Sequence, residues 1–284
     1  MVTSLTGATG DAARLTLAAF FHGAESGFCR RALGWLGLAW IGLGALDATA
    51  QEAVVRAVID GDTITLAQPI NGATEVRLVG IQAPKIPLGR MNFPTWPLGP
   101  EATTGLESLV AGKTVRLIFT GEPKDRHRRL LAHVHVGDTW IQGEMLRLGL
   151  ARVYTFPDNR ARAAEMLALE REARAKGRGI WSHPFYRVRS ADGLGRDIET
   201  FQLVAGVVFK ATETRHQLYL NFAEDWRRDF TIVVPRQALK SFRDAGVDLP
   251  AVEGRTVRVR GWIKSLNGPS VDLTHPEQIE VDFD

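Results

Sequence analysis

Cysteine is almost absent from this chain of 284 residues, in which it occurs once, as Cys29. An intrachain disulfide needs two thiols and a thiolate-bound zinc site needs several, so neither is available. The main apolar run, residues 32–46, is too short to cross a bilayer comfortably. The net charge of +3 is small, so composition permits an acidic partner without requiring one. A hydrophobic content of 45% and a charged content of 24% are ordinary for one or two globular domains.

Residues 1–50 have the pattern of an export signal. An arginine pair at 30–31 precedes the apolar run, and Ala48-Thr49-Ala50 follows it. A basic start, a short apolar segment and an A-x-A end predict a secretory signal that is cleaved after Ala50. Cleavage would remove Cys29 and leave an exported protein, periplasmic or secreted, with no stable membrane insertion. The alternative is an uncleaved signal that anchors the protein in the membrane.

Strand and helix signals divide the rest of the chain into residues 51–183 and 200–284, joined by the polar, glycine-rich segment 184–199. The first block has two predicted strands within 54–66, divided by a turn signal at Asp60-Gly61, and further strands at 74–81, 114–119 and 130–136. Its predicted helices are 101–111, 141–150 and 160–176. The second has strands at 201–211, 217–223, 229–234, 256–264 and 270–281, and a helix at 236–245. Three strands, a helix and two strands is the order of an OB-type Greek-key barrel. The predicted fold class is therefore α+β, mainly β: an OB barrel with three helices, then a second OB-like barrel.

A pattern suited to phosphate chemistry lies in the first block. The turn Asp60-Gly61-Asp62 interrupts the strand signal at 54–66 and carries two carboxylates, the ligands that Ca²⁺ prefers. Arg77, on the next predicted strand, can bind a phosphate through two parallel hydrogen bonds. The basic cluster 124–129 precedes a further strand and can bring a second guanidinium to the same phosphate. A cation, basic side chains and a proton acceptor are what phosphodiester hydrolysis requires.

Taken in order, these motifs resemble the staphylococcal nuclease (thermonuclease) family. The resemblance covers roughly residues 54–182, and its pieces are 59–63, 76–84, 99–102, 112–113, 125–132, 149–153, Glu170 with Ala173, and 179–181. The family fold is an OB barrel with three helices, in agreement with the predicted order of elements. The resemblance implies an endonuclease that hydrolyses phosphodiester bonds in DNA or RNA with the help of Ca²⁺. We further expect a monomer with no small-molecule cofactor.

The resemblance also implies roles for single residues. Asp62 matches the first metal-binding aspartate, Ala83 would offer its backbone carbonyl to the metal, and Gln82 occupies the second metal position. Arg77 and Arg129 match the two arginines that bind phosphate, and Arg129 would also stabilise the transition state. Asp125 matches a structural acid in the loop of Arg129. Arg126, from the basic cluster 124–129, is a further candidate for binding nucleic acid.

Two of these positions depart from the family's pattern. Gln82 replaces an aspartate and Lys85 replaces the glutamate proposed as general base, so the site is more positive by one unit and by two units respectively. Ca²⁺ binding is therefore expected to be weak, and calcium-dependent cleavage weak or absent. Lys85 is expected to join the nucleic-acid-binding residues and to replace part of the metal's charge. The alternatives are a non-catalytic module that binds nucleic acid or phosphate, and a cell-envelope scaffold.

Other residues have two interpretations each. Asp60 and Glu101 are substitutes for the missing base, although Glu101 suits the start of a helix, and His127 either holds phosphate or shuttles protons. His133 and His135 share one side of a strand and form either a metal pair or, as we favour, exposed strand positions. The second block also contains aromatic residues and arginines with two interpretations. They form either a stacking platform for single strands or, as we favour, a core of aromatic side chains with arginines on the surface. The aromatic residues are Tyr219, Phe222, Trp226 and Trp262, and the arginines are Arg227, Arg228, Arg258 and Arg260.

Overall fold

The computed structural model describes residues 49–283, which belong to one compact unit. The predicted export signal, including Cys29, lies outside this range except for its last two residues. Within residues 49–283, no helix is both long and apolar enough to cross a membrane.

The first half of the described chain is a five-stranded barrel with three helices. Its elements are β1 (Thr49–Asp60), β2 (Thr63–Ile70), β3 (Ala73–Leu78), β4 (Ile81–Gln82), α1 (Gly99–Val110), β5 (Thr114–Phe119), β6 (Leu130–Val136), β7 (Thr139–Trp140), α2 (Ile141–Arg147), β8 (Arg152–Val153) and α3 (Ala163–Ala175). The barrel sheet has the strand order β3-β2-β1-β5-β6, and the parallel pairing of β3 with β6 closes it. Two short strands, β4 and β8, pair with each other outside the barrel sheet.

Alternating apolar residues produce this barrel. Ile64 and Leu66 on β2 and Val76 and Leu78 on β3 are fully or almost fully buried, because residues two apart on a strand face the same side. Each of the three helices contributes an apolar face to the same core. The predicted α+β class and the OB barrel with three helices are confirmed.

The second half forms two further sheets around its own core. Its elements are β9 (Arg189–Ser190), β10 (Phe201–Val207), β11 (Lys210–Glu213), β12 (Gln217–Asn221), β13 (Thr231–Pro235), α4 (Leu239–Asp244), β14 (Thr256–Trp262), β15 (Lys264–Leu266), β16 (Gly268–Asp272) and β17 (Ile279–Val281). One sheet has the strand order β17-β14-β10-β9 and the other β11-β12-β13-β16-β15, so a closed second barrel is not evident and stays a prediction. The predicted strand 201–211 divides between β10 and β11, and a 3₁₀ turn at Pro276–Gln278 interrupts the predicted strand 270–281.

Buried polar contacts join the two halves. The Arg260 guanidinium on β14 lies 2.9 Å from a carboxylate oxygen of Glu170 on α3 and 3.1 Å from one of Glu280. Thr155 and His275 share a buried hydrogen bond of 2.8 Å. The segment 184–199 is itself folded, since β9 pairs with β10. The relative position of the halves is thus fixed by charged groups that are removed from water, while the predicted boundaries at 183 and 200 stay predictions.

Candidate functional site

The acidic turn between β1 and β2 is packed tightly into the protein. Asp60 and Asp62 are 4% and 0% exposed. A Cβ on Gly61 would lie 2.7 Å from the Ala83 Cβ and 2.8 Å from the Ala102 Cβ, so only glycine fits between the two carboxylates. The backbone N–H of Asp62 donates to Asp60 Oδ1 at 3.1 Å. This packing fixes the direction of both side chains.

The Lys85 ammonium bridges the two carboxylates of this turn. Its Nζ lies 2.9 and 2.8 Å from the two side-chain oxygens of Asp62 and 3.2 Å from Asp60 Oδ2. Asp62 Oδ2 also accepts the backbone N–H of Ala83 at 2.7 Å and lies 3.3 Å from the Arg77 guanidinium. Every oxygen of the Asp62 carboxylate is therefore already paired with a donor from the chain itself.

The pKa values of the two acids diverge in this environment. Burial raises the pKa of Asp62, but the charges of Arg77 and Lys85 outweigh burial and hold that pKa well below its usual range. The pKa of Asp60 is raised, first by burial and then by the negative charge of Asp62. Asp62 thus remains ionised, and two cations face the two acids.

Gln82 is engaged in a different contact. It lies on β4 opposite Arg152 on β8, and its Oε1 accepts hydrogen bonds from Arg152 Nε at 3.0 Å and Nη2 at 2.7 Å. Both residues are nearly buried, and burial lowers the pKa of Arg152 to about 10. The Gln82 amide oxygen, to which the family resemblance assigns a metal ligand role, is therefore hydrogen-bonded to the Arg152 guanidinium.

The residues present do not fit a calcium site. Asp62 is paired with Lys85 and Arg77, and Gln82 with Arg152, which leaves the Ala83 carbonyl as the remaining predicted ligand. Ca²⁺ ordinarily takes six to eight oxygen ligands and favours negative charge around it. Among residues 49–283, no group of three or more histidine, cysteine or acidic side chains is arranged to hold a metal.

A cavity of about 700 Å³ next to the turn gathers the phosphate-binding candidates. Arg77, Arg126, His127 and Arg129 all line it, whereas Lys85 is not among its lining residues in the described chain. The Lys85 ammonium is instead paired with the two buried carboxylates. The structure therefore brings together three of the four residues predicted to bind nucleic acid.

Both principal arginines of this cavity are held in fixed orientations. Arg77 Nη1 donates to the backbone carbonyl of Leu78 at 2.8 Å and Nη2 to that of Ile81 at 2.6 Å. Arg129 Nε donates to Asp125 Oδ2 at 2.8 Å, and Asp125 also accepts the backbone N–H groups of His127 and Arg129. Asp125 thus orders the loop, and both arginines line the cavity in orientations that contacts within the chain fix.

Three of the alternative candidates differ in their exposure. Glu101 is exposed in the first turn of α1, as expected of an acid at a helix start. His133 and His135 are 2% and 9% exposed, so their assignment as exposed strand positions was wrong. They are buried because Trp140, which donates to His133 at 3.3 Å, and Arg162, which contacts His135 at 3.3 Å, cover that side of β6.

The favoured interpretation of the second half was also partly wrong. Trp226 and Trp262 are 51% and 42% exposed, rather than core residues, and Arg260 is 2% exposed, rather than a surface residue. Arg260 is buried because it neutralises Glu170 and Glu280. Phe222 does pack against the second core, as expected.

Three aromatic residues that sequence reasoning left out of the site line its cavity. Tyr154 and Phe156 follow β8, and Trp262 comes from the end of β14 in the second half. The Trp262 Nε1–H donates to the Tyr154 hydroxyl at 3.0 Å, across 108 positions of sequence. The signal available in the sequence was the two-residue spacing of Arg260 and Trp262, which puts both on one side of a strand.

Comparisons with known proteins agree with this geometry. Residues 75–183 match the family model described as "Staphylococcal nuclease homologue". The chain is 33% identical over 136 residues to a thermonuclease of Staphylococcus intermedius, which covers 48% of this chain and 79% of that protein. It is 29% identical over 140 residues to a thermonuclease of Staphylococcus hyicus, covering 49% and 81%, and 33% identical over 131 residues to "Endonuclease YncB" of Bacillus subtilis, covering 45% and 60%. With the barrel, the acidic turn and the paired arginines, these similarities show that the chain belongs to the staphylococcal nuclease family.

Proposed function

We propose that this protein is exported, binds DNA or RNA as a monomer through its phosphates, and hydrolyses phosphodiester bonds slowly and without calcium. The nuclease relatives support action on nucleic acid. The cavity that Arg77 and Arg129 line supports phosphate as the group that is bound. The basic and apolar pattern of residues 1–50 supports export, and N-terminal sequencing of the exported protein should then begin at Gln51.

The observation that carries the proposal is the contact of Lys85 with Asp60 and Asp62 at 2.8 to 3.2 Å. In this cluster the two acids are balanced by Lys85 and Arg77, so an incoming divalent cation finds no net negative charge. Two unit charges 4 Å apart interact by about 4 kcal/mol at an effective dielectric constant of 20. Repulsion by Lys85 therefore weighs heavily against Ca²⁺ in this position.

The arginines of the cavity would carry the chemistry. A phosphodiester develops extra negative charge on its non-bridging oxygens as water attacks, and Arg77 and Arg129 are oriented in advance to stabilise that charge. Residue 85 cannot accept a proton from the attacking water, since its protonated ammonium is paired with two carboxylates. A general base typically contributes about 10² to 10⁴ in rate, so hydrolysis is expected to be slower than in a relative that keeps the glutamate by a factor of this order.

Cleavage of an end-labelled oligonucleotide with and without a chelator tests this proposal. We expect slow cleavage at equal rates in EGTA and in Ca²⁺, and loss of cleavage in Arg129→Ala. Arg228→Ala is the matched control, because its side chain is 89% exposed and lies outside the cavity. Rapid cleavage that EGTA abolishes and Ca²⁺ restores would overturn the calcium-independent mechanism.

The second candidate function is binding without catalysis. The observation in its favour is the same lysine, which removes both a metal position and a base. Binding that weakens linearly with the logarithm of salt concentration, in the absence of any turnover, would establish this function, because phosphate contacts release counterions. A cell-envelope scaffold, the third alternative, predicts neither turnover nor salt-dependent binding of oligonucleotides.

A further inference from the structure

The second half of the chain contributes a side chain to the phosphate cavity of the first. Trp262 lies at the end of β14, is 42% exposed, and lines the same cavity as Arg77 and Arg129. A smaller cavity of about 320 Å³ shares Tyr154, Phe156 and Trp262 with the first. Trp262 therefore lines two cavities, one of which is also lined by the phosphate-binding arginines.

Contacts with the first half of the chain hold Trp262 in position. Its Nε1–H donates to the Tyr154 hydroxyl at 3.0 Å. Two residues earlier, Arg260 points to the same side of β14 and is paired with the buried Glu170 at 2.9 Å. Glu170 in turn accepts the backbone N–H of Val153, next to Tyr154, at 2.6 Å. A buried ion pair thus holds the strand end that carries Trp262 against the strand end that carries Tyr154.

The opposing strand supports the indole from one side. Phe201 is directly opposite Trp262 in the β10–β14 pairing, and their ring centroids are 6.4 Å apart with an interplanar angle of 76°. Phe201 also packs edge-on against Tyr154 at 5.0 Å. Phe201 is 4% exposed, so Trp262 carries the exposed aromatic surface of this pair. A rigid, partly exposed indole next to phosphate-binding arginines suits the flat face of a nucleobase.

We propose that Trp262 is a nucleic-acid-positioning residue, on which an unpaired base stacks when the neighbouring phosphate is held by Arg77 and Arg129. This inference rests on the proposed function, because it presumes that the cavity binds nucleic acid. It adds that the binding site continues past residue 183 into the second half of the chain. Trp262 does not contact the reacting phosphate; it fixes where the strand lies relative to the arginines.

The experiment compares two labelled single-stranded ligands in EGTA by fluorescence anisotropy. One is an oligothymidylate of about eight nucleotides, within the usual site size of an OB barrel, and the other has the same phosphates but abasic sugars. Trp262→Ala should weaken oligothymidylate binding by roughly 5- to 150-fold, which corresponds to the loss of about 1–3 kcal/mol for one base–aromatic stack. Its affinity for the abasic ligand should equal that of the wild type. Trp262→Phe retains an aromatic face and should bind oligothymidylate almost as tightly as the wild type. This variant also tests the inference if the alanine variant does not fold.

Two control variants separate stacking from other effects. Trp226→Ala removes another half-exposed tryptophan of the second half, which lines a different cavity, and should bind both ligands as the wild type does. Arg129→Ala should weaken both ligands alike, because it removes a phosphate contact. Equal losses on both ligands in Trp262→Ala would assign Trp262 a structural role and overturn the inference.

The remaining outcomes distinguish this inference from the proposed function. Wild-type protein that binds neither ligand would refute the proposed function and, with it, the inference. Wild-type protein that binds both, with Trp262→Ala and Trp262→Phe unchanged on oligothymidylate, would refute the inference alone. Weaker oligothymidylate binding in Trp226→Ala, with no weakening in Trp262→Ala, would also refute the inference, because the stacking surface would then lie at the cavity that Trp226 lines.

Discussion

Replacing Gln82 by Asp and Lys85 by Glu should make both the stability and the cleavage activity of this protein depend on calcium. In the wild type, Lys85 Nζ lies 2.8 to 3.2 Å from three oxygens of Asp60 and Asp62. The double change removes that ammonium and adds two carboxylates. It therefore creates a cluster of four acids around one position, in which Arg77 is the cation that remains next to Asp62.

The size of the effect follows from the burial of this cluster. Removing one partner of a buried ion pair typically costs about 3–5 kcal/mol, because the other charge stays buried and unpaired. For a domain of 150–250 residues, 1 kcal/mol corresponds to about 2–4 °C in Tm. We therefore expect the double variant in EGTA to melt at least roughly 6 °C below the wild type. Arg152, which holds residue 82, competes with the metal for the new aspartate, so we expect a calcium Kd of about 10⁻⁴ to 10⁻³ M.

Thermal unfolding in EGTA and in Ca²⁺ measures both quantities. Calcium at about one hundred times its Kd should return roughly 2.7 kcal/mol of stability to the double variant and none to the wild type. Oligonucleotide cleavage should rise by orders of magnitude in the same samples, since a metal and a carboxylate base are both restored. Lys240→Glu is the matched control, because it makes the same charge reversal on a side chain that is 78% exposed. A double variant whose Tm and cleavage rate are the same in EGTA and in Ca²⁺ would refute the argument.

Two further predictions concern stability. Burial, as the main cause, lowers the pKa of His133 and of His275 from the ordinary 6.5 to about 4. Between these values the unfolded chain binds more protons than the folded one, so the free energy of unfolding should fall as the pH is lowered from about 6.5 to about 4, by up to roughly 3 kcal/mol per histidine. Urea titrations at a series of pH values measure this, and a pH-independent midpoint would contradict it. Arg260→Leu should remove one of the two guanidinium partners of the buried Glu170, with Arg174 remaining as the other. We expect it to cost up to about 3–5 kcal/mol and to speed proteolysis between the halves, whereas Arg228→Leu, at an exposed position, should not. Equal proteolysis of the two variants would contradict this prediction.

The sequence alone predicted the barrel well, because its strands have strict alternation and clear ends. The predicted strands 114–119 and 130–136 coincide with β5 and β6. Gly112, at a φ of +68°, precedes β5, and Gly137, at a φ of +56°, follows β6, so each glycine marks a strand boundary that is visible in the sequence. The helix predicted to 150 ends at Arg147, since Gly149, at a φ of +68°, lies too close to the Arg178 carbonyl for any side chain. Such a contact between distant segments leaves no local pattern.

The site was predictable only where its parts are local. The turn with Asp60 and Asp62 and the arginine on β3 follow from adjacent motifs. The contact that occupies Gln82 joins two strands of two residues each, 70 positions apart, so no periodicity could disclose it. Trp262 is 108 positions away from its partner Tyr154, so only the folded chain shows that the second half contributes a residue to the lining of the cavity. Lys85 is conspicuous in the sequence by its charge, but its contacts with both acids are visible only in the folded chain, and its predicted part in nucleic-acid binding stays a prediction.

Calorimetric titration of the wild-type protein with Ca²⁺ tests the central claim most directly, because it asks whether Lys85 already occupies the position of the cation. The structure predicts no saturable heat up to about 10 mM Ca²⁺, well beyond the range of weak calcium modules. One-to-one binding with a Kd below about 1 mM, lost in Asp62→Asn, would contradict the account, since it would place the metal on the carboxylate that Lys85 holds.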